Sequence, residues 1–181
     1  MRQLFIQRAI FNKNTNDIMI DYLKTISFEE LIKKRNICTF GSIKENSSLL
    51  DIFIHLVLCE CMLYQNIHKI GVISLYGKEL LDYNLPTPLI MSKTKENFNE
   101  AIGLLKKLDI AVITFYENLD FHSYNTEDFS RKDNFKDNTP ATFMEQLFVH
   151  AIHHRGQISQ ILSELGVGED FSRFQKFGVF D

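Results

Sequence analysis

The chain has 181 residues, of which 45% are hydrophobic and 24% charged, with a formal charge of −3 and a pI of about 6.1. That is enough apolar sequence for one domain with a sizeable core, and it excludes the basic surplus that nucleic-acid binding needs. The longest apolar run, Ile52 to Leu63, is broken by His55 and Glu60 and is too short to span a membrane.

The cysteine count is odd, and Cys59 and Cys61 sit inside that apolar run. A disulfide framework is not expected, and a reducing cytoplasm is. The N-terminal stretch MRQLFIQRAIFNKNTND has no uninterrupted apolar segment ending in a small-residue cleavage site, so no secretory signal is expected.

In chain order, the first apolar stripe is Leu4, Phe11, Ile18, Tyr22 and Ile26, with Phe5, Ala9 and Met19 beside it, at helical spacing. Ser27 followed by Glu30 is a capping box for a short second helix, and Gly41 marks a loop. The next stripe is Ile52, His55, Leu56, Cys59, Met62, Leu63, Ile67 and Ile70, with Ser48 and Asp51 placed to cap its start and Gly71 its end. Val72 to Met91 holds Gly77, Pro86 and Pro88 and reads as a loop.

A third long stripe runs Phe98, Ala101, Ile102, Leu105, Leu108, Val112, Phe115 and Leu119, with Ser92 as its expected N-cap. Phe121 to Asn138 is polar, without helical period, and long enough to be a crossover or a site-covering loop. The last helix starts at Thr139-Pro140, where proline suits the first helical position. Thr142 with Glu145 forms a competing capping box, and Gly166 is placed for a C-terminal cap. Its stripe is Phe143, Leu147, His150, His154, Ile158, Ile161 and Leu165. The tail adds Phe171, Phe174, Phe177 and Phe180, a spacing that reads as packing. Four long amphipathic helices without a strand pattern predict an all-α four-helix bundle. No repeat or second domain is visible, so residues 1–181 are expected to form one domain.

The unusual stretch is FVHAIHHRGQ, Phe148 to Gln157, which holds three of the six histidines. His150 and His154 lie four apart, in the middle of the core-facing stripe, with His153 at its edge. Two imidazoles so spaced can grip one metal ion. His55, on the stripe of another helix, supplies a third ligand, and three histidines leave positions open for water or substrate. The residues alone leave a second reading open, in which all three are hydrogen-bonded core residues. Three unsatisfied buried imidazoles would be costly, however.

The run HAIHHRGQISQILSELG, His150 to Gly166, resembles the C-terminal helix of the DinB/YfiT-like superfamily of metal-dependent enzymes. FGSIKEN from Phe40 and FNKNTNDIMIDYL from Phe11 resemble upstream parts of the same family, so the likeness covers nearly the whole chain. The resemblance implies a four-helix bundle of up-up-down-down type and a divalent metal held by His55, His150 and His154. It also implies chemistry of the kind assigned to members: thiol-dependent transferases and a maleylpyruvate isomerase using low-molecular-weight thiols. Family members often carry a tryptophan about two turns after the first of these histidines. This chain has no tryptophan, and Leu63 and Tyr64 occupy that region.

Several other residues bear on the site. Cys59 lies one turn after His55 on the same face; it reads as a fourth, soft ligand or, more commonly, as a buried structural cysteine. Gln157 lies next to the histidine stripe, placed to position water or substrate or to cap the pocket. Glu60 and Asp51 are candidate carboxylates for orienting an imidazole, with solvated surface charge as the commoner role. Arg155 falls on the outer face with Phe148, Ile152 and Ser159, as a structural anchor. So apolar an outer face reads as a dimer contact or a second packing layer. Gly156 costs about 1 kcal/mol in a helix, which close helix approach would explain.

The expected function is therefore a metal-activated thiol or water acting on a small electrophile, in a thiol S-transferase or a hydrolase, with zinc or nickel favoured and iron or manganese compatible. The expected partners are a small-molecule substrate, a low-molecular-weight thiol and a second copy of the chain, with neither nucleic acid nor membrane. The competing expectation is a non-catalytic bundle acting through dimerisation or partner binding.

Overall fold

The computed structural model describes residues 2–37, 46–69, 93–119 and 140–173, with side chains described at 2–37, 46–65, 93–119 and 145–173. They form helices α1 (Arg2–Thr25), α2 (Phe28–Ile32), α3 (Leu49–Lys69), α4 (Lys95–Asn118) and α5 (Pro140–Glu164). There is no strand among the described residues, only a single bridge between Arg35 and Ser47. No described helix is long and apolar enough to cross a membrane. The expectations for Gly41, Gly71, Val72 to Met91, Phe121 to Asn138, Thr142 and the phenylalanines beyond Phe171 lie outside these residues.

Local chemistry sets the helix ends. Ser27 caps α2 by accepting from the Glu30 amide at 3.3 Å. Ser48 and Asp51 form a reciprocal box at the start of α3: the Asp51 amide donates to Ser48 Oγ at 3.2 Å, and the Ser48 amide donates to Asp51 Oδ2 at 2.7 Å. Asp51 also pairs with Lys34 and Lys93. Burial pushes its carboxyl up, but these hydrogen bonds outweigh burial and bring it down to about 2. Asp51 is therefore committed to tying α3 to its neighbours and does not orient a histidine. The N-cap of α4 is Thr94, not Ser92, and it accepts from the Asn97 amide at 3.1 Å. Helix α5 begins at Pro140. It ends in a Schellman motif: Gly166 has φ of 76°, the Gly166 amide bonds to the Ser163 carbonyl, and the Val167 amide bonds to the Leu162 carbonyl.

Each long helix packs on two others, α1 on α4 and α5, and α3 on α4 and α5. Side-chain pairs fix the directions. Phe5 meets Tyr116 and Asn16 meets Asp109, so α1 and α4 are antiparallel. Phe53 meets Phe98 and Tyr64 meets Phe115, so α3 and α4 are parallel. Phe5 meets Phe148 and Asn16 meets Arg155, so α1 and α5 are parallel. The all-α four-helix bundle is as expected, but its order is up-down-down-up and not up-up-down-down. Parallel neighbours need a connection about as long as a helix, and the chain between Lys69 and Lys95 has that length. Helix patterns and loop lengths fit both orders; only the packing distinguishes them.

The buried face of α1 is rotated from the expected stripe. It runs through Phe5, Ala9, Asn12, Asn16, Met19 and Leu23, while Leu4 is 48% exposed. Apolar periodicity overlooks the two asparagines, which are buried because they carry a polar network described below. Met62, also expected inside, is exposed.

Candidate metal centre

Helices α3 and α5 pack closely and bring three imidazoles together where they meet. The ring centroid of His55 lies 5.2 Å from that of His150 and 4.7 Å from that of His154, and those two lie 4.3 Å apart. The four-residue spacing on α5 stacks His150 and His154 one turn apart, with their Nε2 atoms at 3.0 Å. Cys59, one turn after His55 on α3, has its Sγ 3.6 Å from both ring nitrogens of His55. His55, Cys59 and His150 form a group able to hold a metal ion, their ligand atoms all within 4.8 Å of one another. His153, at the edge of the stripe, is exposed.

A sequence profile of the DinB family matches residues 1–172. The chain belongs to the DinB family. No curated protein and no solved structure matches it significantly.

Electrostatics in this DinB-family chain favour neutral imidazoles. Burial pushes His150 down to about 4, helped by the neighbouring charges of His55 and His153. Burial likewise pushes His154 down to about 4, against the opposing hydrogen bond that it donates to Gln157. His55 is lowered too, by burial and by His153. At neutral pH all three rings therefore offer lone pairs instead of charge, the state a metal ligand must be in.

Gln157, half-buried on the next turn, sets the tautomer. Its Oε1 lies 2.7 Å from His154 Nδ1. A carbonyl oxygen only accepts, so the proton sits on Nδ1 and the lone pair on Nε2. That lone pair faces His150 Nε2. If His150 donates from Nε2, its Nδ1 is left as a bare acceptor, and that atom is buried without a hydrogen-bond partner. If the proton is on Nδ1, two lone pairs oppose each other at 3.0 Å. Either arrangement leaves an acceptor wanting a positive partner. A cation resolves both, so the residues present fit a metal ion.

A second polar cluster lies on the same two helices, one residue further along each. Arg155 follows His154 and is 1% exposed, so it is not an outer-face residue; α1 covers that side of α5. Its Nη1 donates to Asn16 Oδ1 at 3.0 Å and also to Asn12 Oδ1, and its guanidinium lies over the Phe11 ring. Asn16 passes the network on to Asp109 Oδ1 at 3.0 Å. Glu60, which follows Cys59, is 2% exposed and close enough to feel Arg155. Burial pushes Glu60 up to about 7, against the pull of Arg155. Asp109 is also raised well above the usual carboxylate range, by burial and then by Glu60. One guanidinium thus faces two carboxyls in the interior, and Glu60 Oε1 has no hydrogen-bond partner. Glu60 sits in this cluster instead of on the solvated surface that its charge suggested.

Asn12, Asn16 and Asp109 have no place among the apolar stripes, yet a signal for them exists. Each occupies core register: Asp109 falls between Leu105 and Val112, and Asn12 and Asn16 between Ala9 and Met19. Polar residues in core register on several helices of one bundle point to a shared network. Gly156 has nothing within 4 Å of where a Cβ would be, so close helix approach does not account for it.

Proposed function

We propose that this chain is a metal-dependent enzyme in which a divalent ion held by His55, His150 and His154 activates a thiol or water against a small electrophile. One observation carries the reading: three neutral imidazoles from two helices converge inside the bundle, and Nδ1 of one of them, His150, is buried without a hydrogen-bond partner. A metal ion bound there lowers the pKa of a coordinated thiol or water, to about 7 for water on zinc. Gln157 acts as a positioning residue by holding His154 in the tautomer that presents Nε2. The reaction is thiol S-transfer or hydrolysis in a cytoplasmic protein.

The test is a screen of small electrophiles with low-molecular-weight thiols, comparing metal-loaded, chelated and His154→Ala protein. Product formed only by the metal-loaded wild type supports the reading; equal rates in all three contradict it. The competing reading, a non-catalytic bundle that pairs with a second copy, draws on Val149 and Ile152, which are 56% and 50% exposed on α5. If the chain unfolds on chelation and no thiol binds the loaded form, that reading gains.

A further inference from the structure

We propose that Cys59 is a fourth ligand of this centre, so that α3 and α5 each contribute a pair of residues four apart, His55 with Cys59 and His150 with His154. The inference rests on the metal-centre reading and deepens it.

Spacing is the first argument. A four-residue step puts two side chains on one face of a helix, and α3 and α5 present such pairs to each other. Distance is the second. In four-coordinate zinc sites, with Zn–N of about 2.0–2.1 Å and Zn–S of about 2.3 Å, a sulfur and a nitrogen bound to one ion sit about 3.5 Å apart. Cys59 Sγ lies 3.6 Å from both ring nitrogens of His55, against the ring, and within 4.8 Å of a His150 ring nitrogen. Two nitrogens on one such ion sit about 3.3–3.4 Å apart, against 3.0 Å for His150 and His154. The sulfur and the rings are thus within reach of one ion, and a turn of the His55 ring would present one nitrogen beside the sulfur.

Cys61, only two residues on, shows the contrast. It is fully buried, and its Sγ lies 3.7 Å from Gln65 Nε2. A buried thiol otherwise keeps its proton, and burial together with Glu60 pushes Cys59 up to about 11. Coordination therefore has to release that proton to solvent as the sulfur–metal bond forms. The resulting anionic, polarisable ligand biases the site towards zinc and cobalt and away from manganese and magnesium.

The experiment adds Co²⁺ to metal-free, full-length protein and follows its absorption spectrum. Cobalt bound by thiolate gives an intense sulfur-to-metal charge-transfer band in the near ultraviolet, while visible ligand-field bands report the ion whatever its ligands. We expect both in the wild type. Cys59→Ser should lose the ultraviolet band and keep the visible ones, and Cys38→Ser and Cys61→Ser should keep both. An ultraviolet band that survives Cys59→Ser, or is missing from a wild type with visible bands, overturns the fourth ligand and leaves the three-histidine centre standing. No cobalt-dependent absorption in the wild type overturns the centre itself.

Discussion

Arg155 donates to Asn16 across the α1–α5 contact at 3.0 Å, deep in the bundle and one residue past a candidate metal ligand. The backbone of α5 thus holds His154 on one side and a buried cation on the other. Removing that guanidinium leaves the buried oxygens of Asn12 and Asn16 without their donor, and each buried acceptor left unsatisfied costs roughly 1–3 kcal/mol. Arg155→Ala should lose stability on that scale in urea unfolding, and Arg155→Lys should recover only part of it, since an ammonium cannot reproduce the planar fork. A loss within about 0.5 kcal/mol for Arg155→Ala would mean that the network contributes nothing.

Gly156 inside α5 and Gly166 just past its end should respond in opposite directions. Gly156→Ala places a methyl where nothing lies within 4 Å and should stabilise by about 0.5–1 kcal/mol. Gly166→Ala forces an L-residue to a φ of 76° and should destabilise by about 1 kcal/mol. Thermal midpoints of the two variants decide this, and a destabilised Gly156→Ala would contradict the open space beside α5.

The helices, three of their caps and the convergence of His55, His150 and His154 were legible in the sequence, because apolar periodicity and cap chemistry are local. Arg155 escapes the sequence because it lies well round α5 from the histidine stripe, and one stripe does not show that α1 covers that side as well. The order of helix directions escapes the sequence for a related reason: nothing in one helix records which way its neighbour runs, and Phe53–Phe98 and Tyr64–Phe115 are contacts between distant segments. The approach of Cys59 to His55 and His150 is likewise a matter of distance, which the four-residue step only permits.

The depressed imidazoles predict an acid-sensitive fold. His150 and His154 titrate at about 4 when folded and at about 6.5 when unfolded. Between those values the unfolded chain binds more protons, so their contribution to stability is complete above about pH 6.5 and is lost as pH falls towards 4. Glu60 and Asp109 act with the opposite sign, because burial raises both. The comparison is therefore between metal-free wild type and the His150→Ala, His154→Ala double variant. The double variant should lose less stability between pH 7 and pH 5; parallel losses would show that these rings are not depressed.

Gln157 should affect affinity more than fold. Losing the hydrogen bond that orients a ligand histidine costs about 10–100-fold in metal affinity. Gln157→Ala should show that loss in competition with a chromophoric chelator, and Gln157→Glu, which still accepts from His154 Nδ1, should regain most of it. Equal affinity in all three proteins would leave Gln157 with no part in orienting His154.

The most direct test of the account is the metal content of untagged protein purified without chelator, measured by elemental analysis beside His55→Ala, His150→Ala and His154→Ala. The account predicts about one equivalent of a divalent ion in the wild type and almost none in each variant. A wild type that stays empty after reloading with zinc or nickel, or ion retained tightly by all three variants, would contradict it.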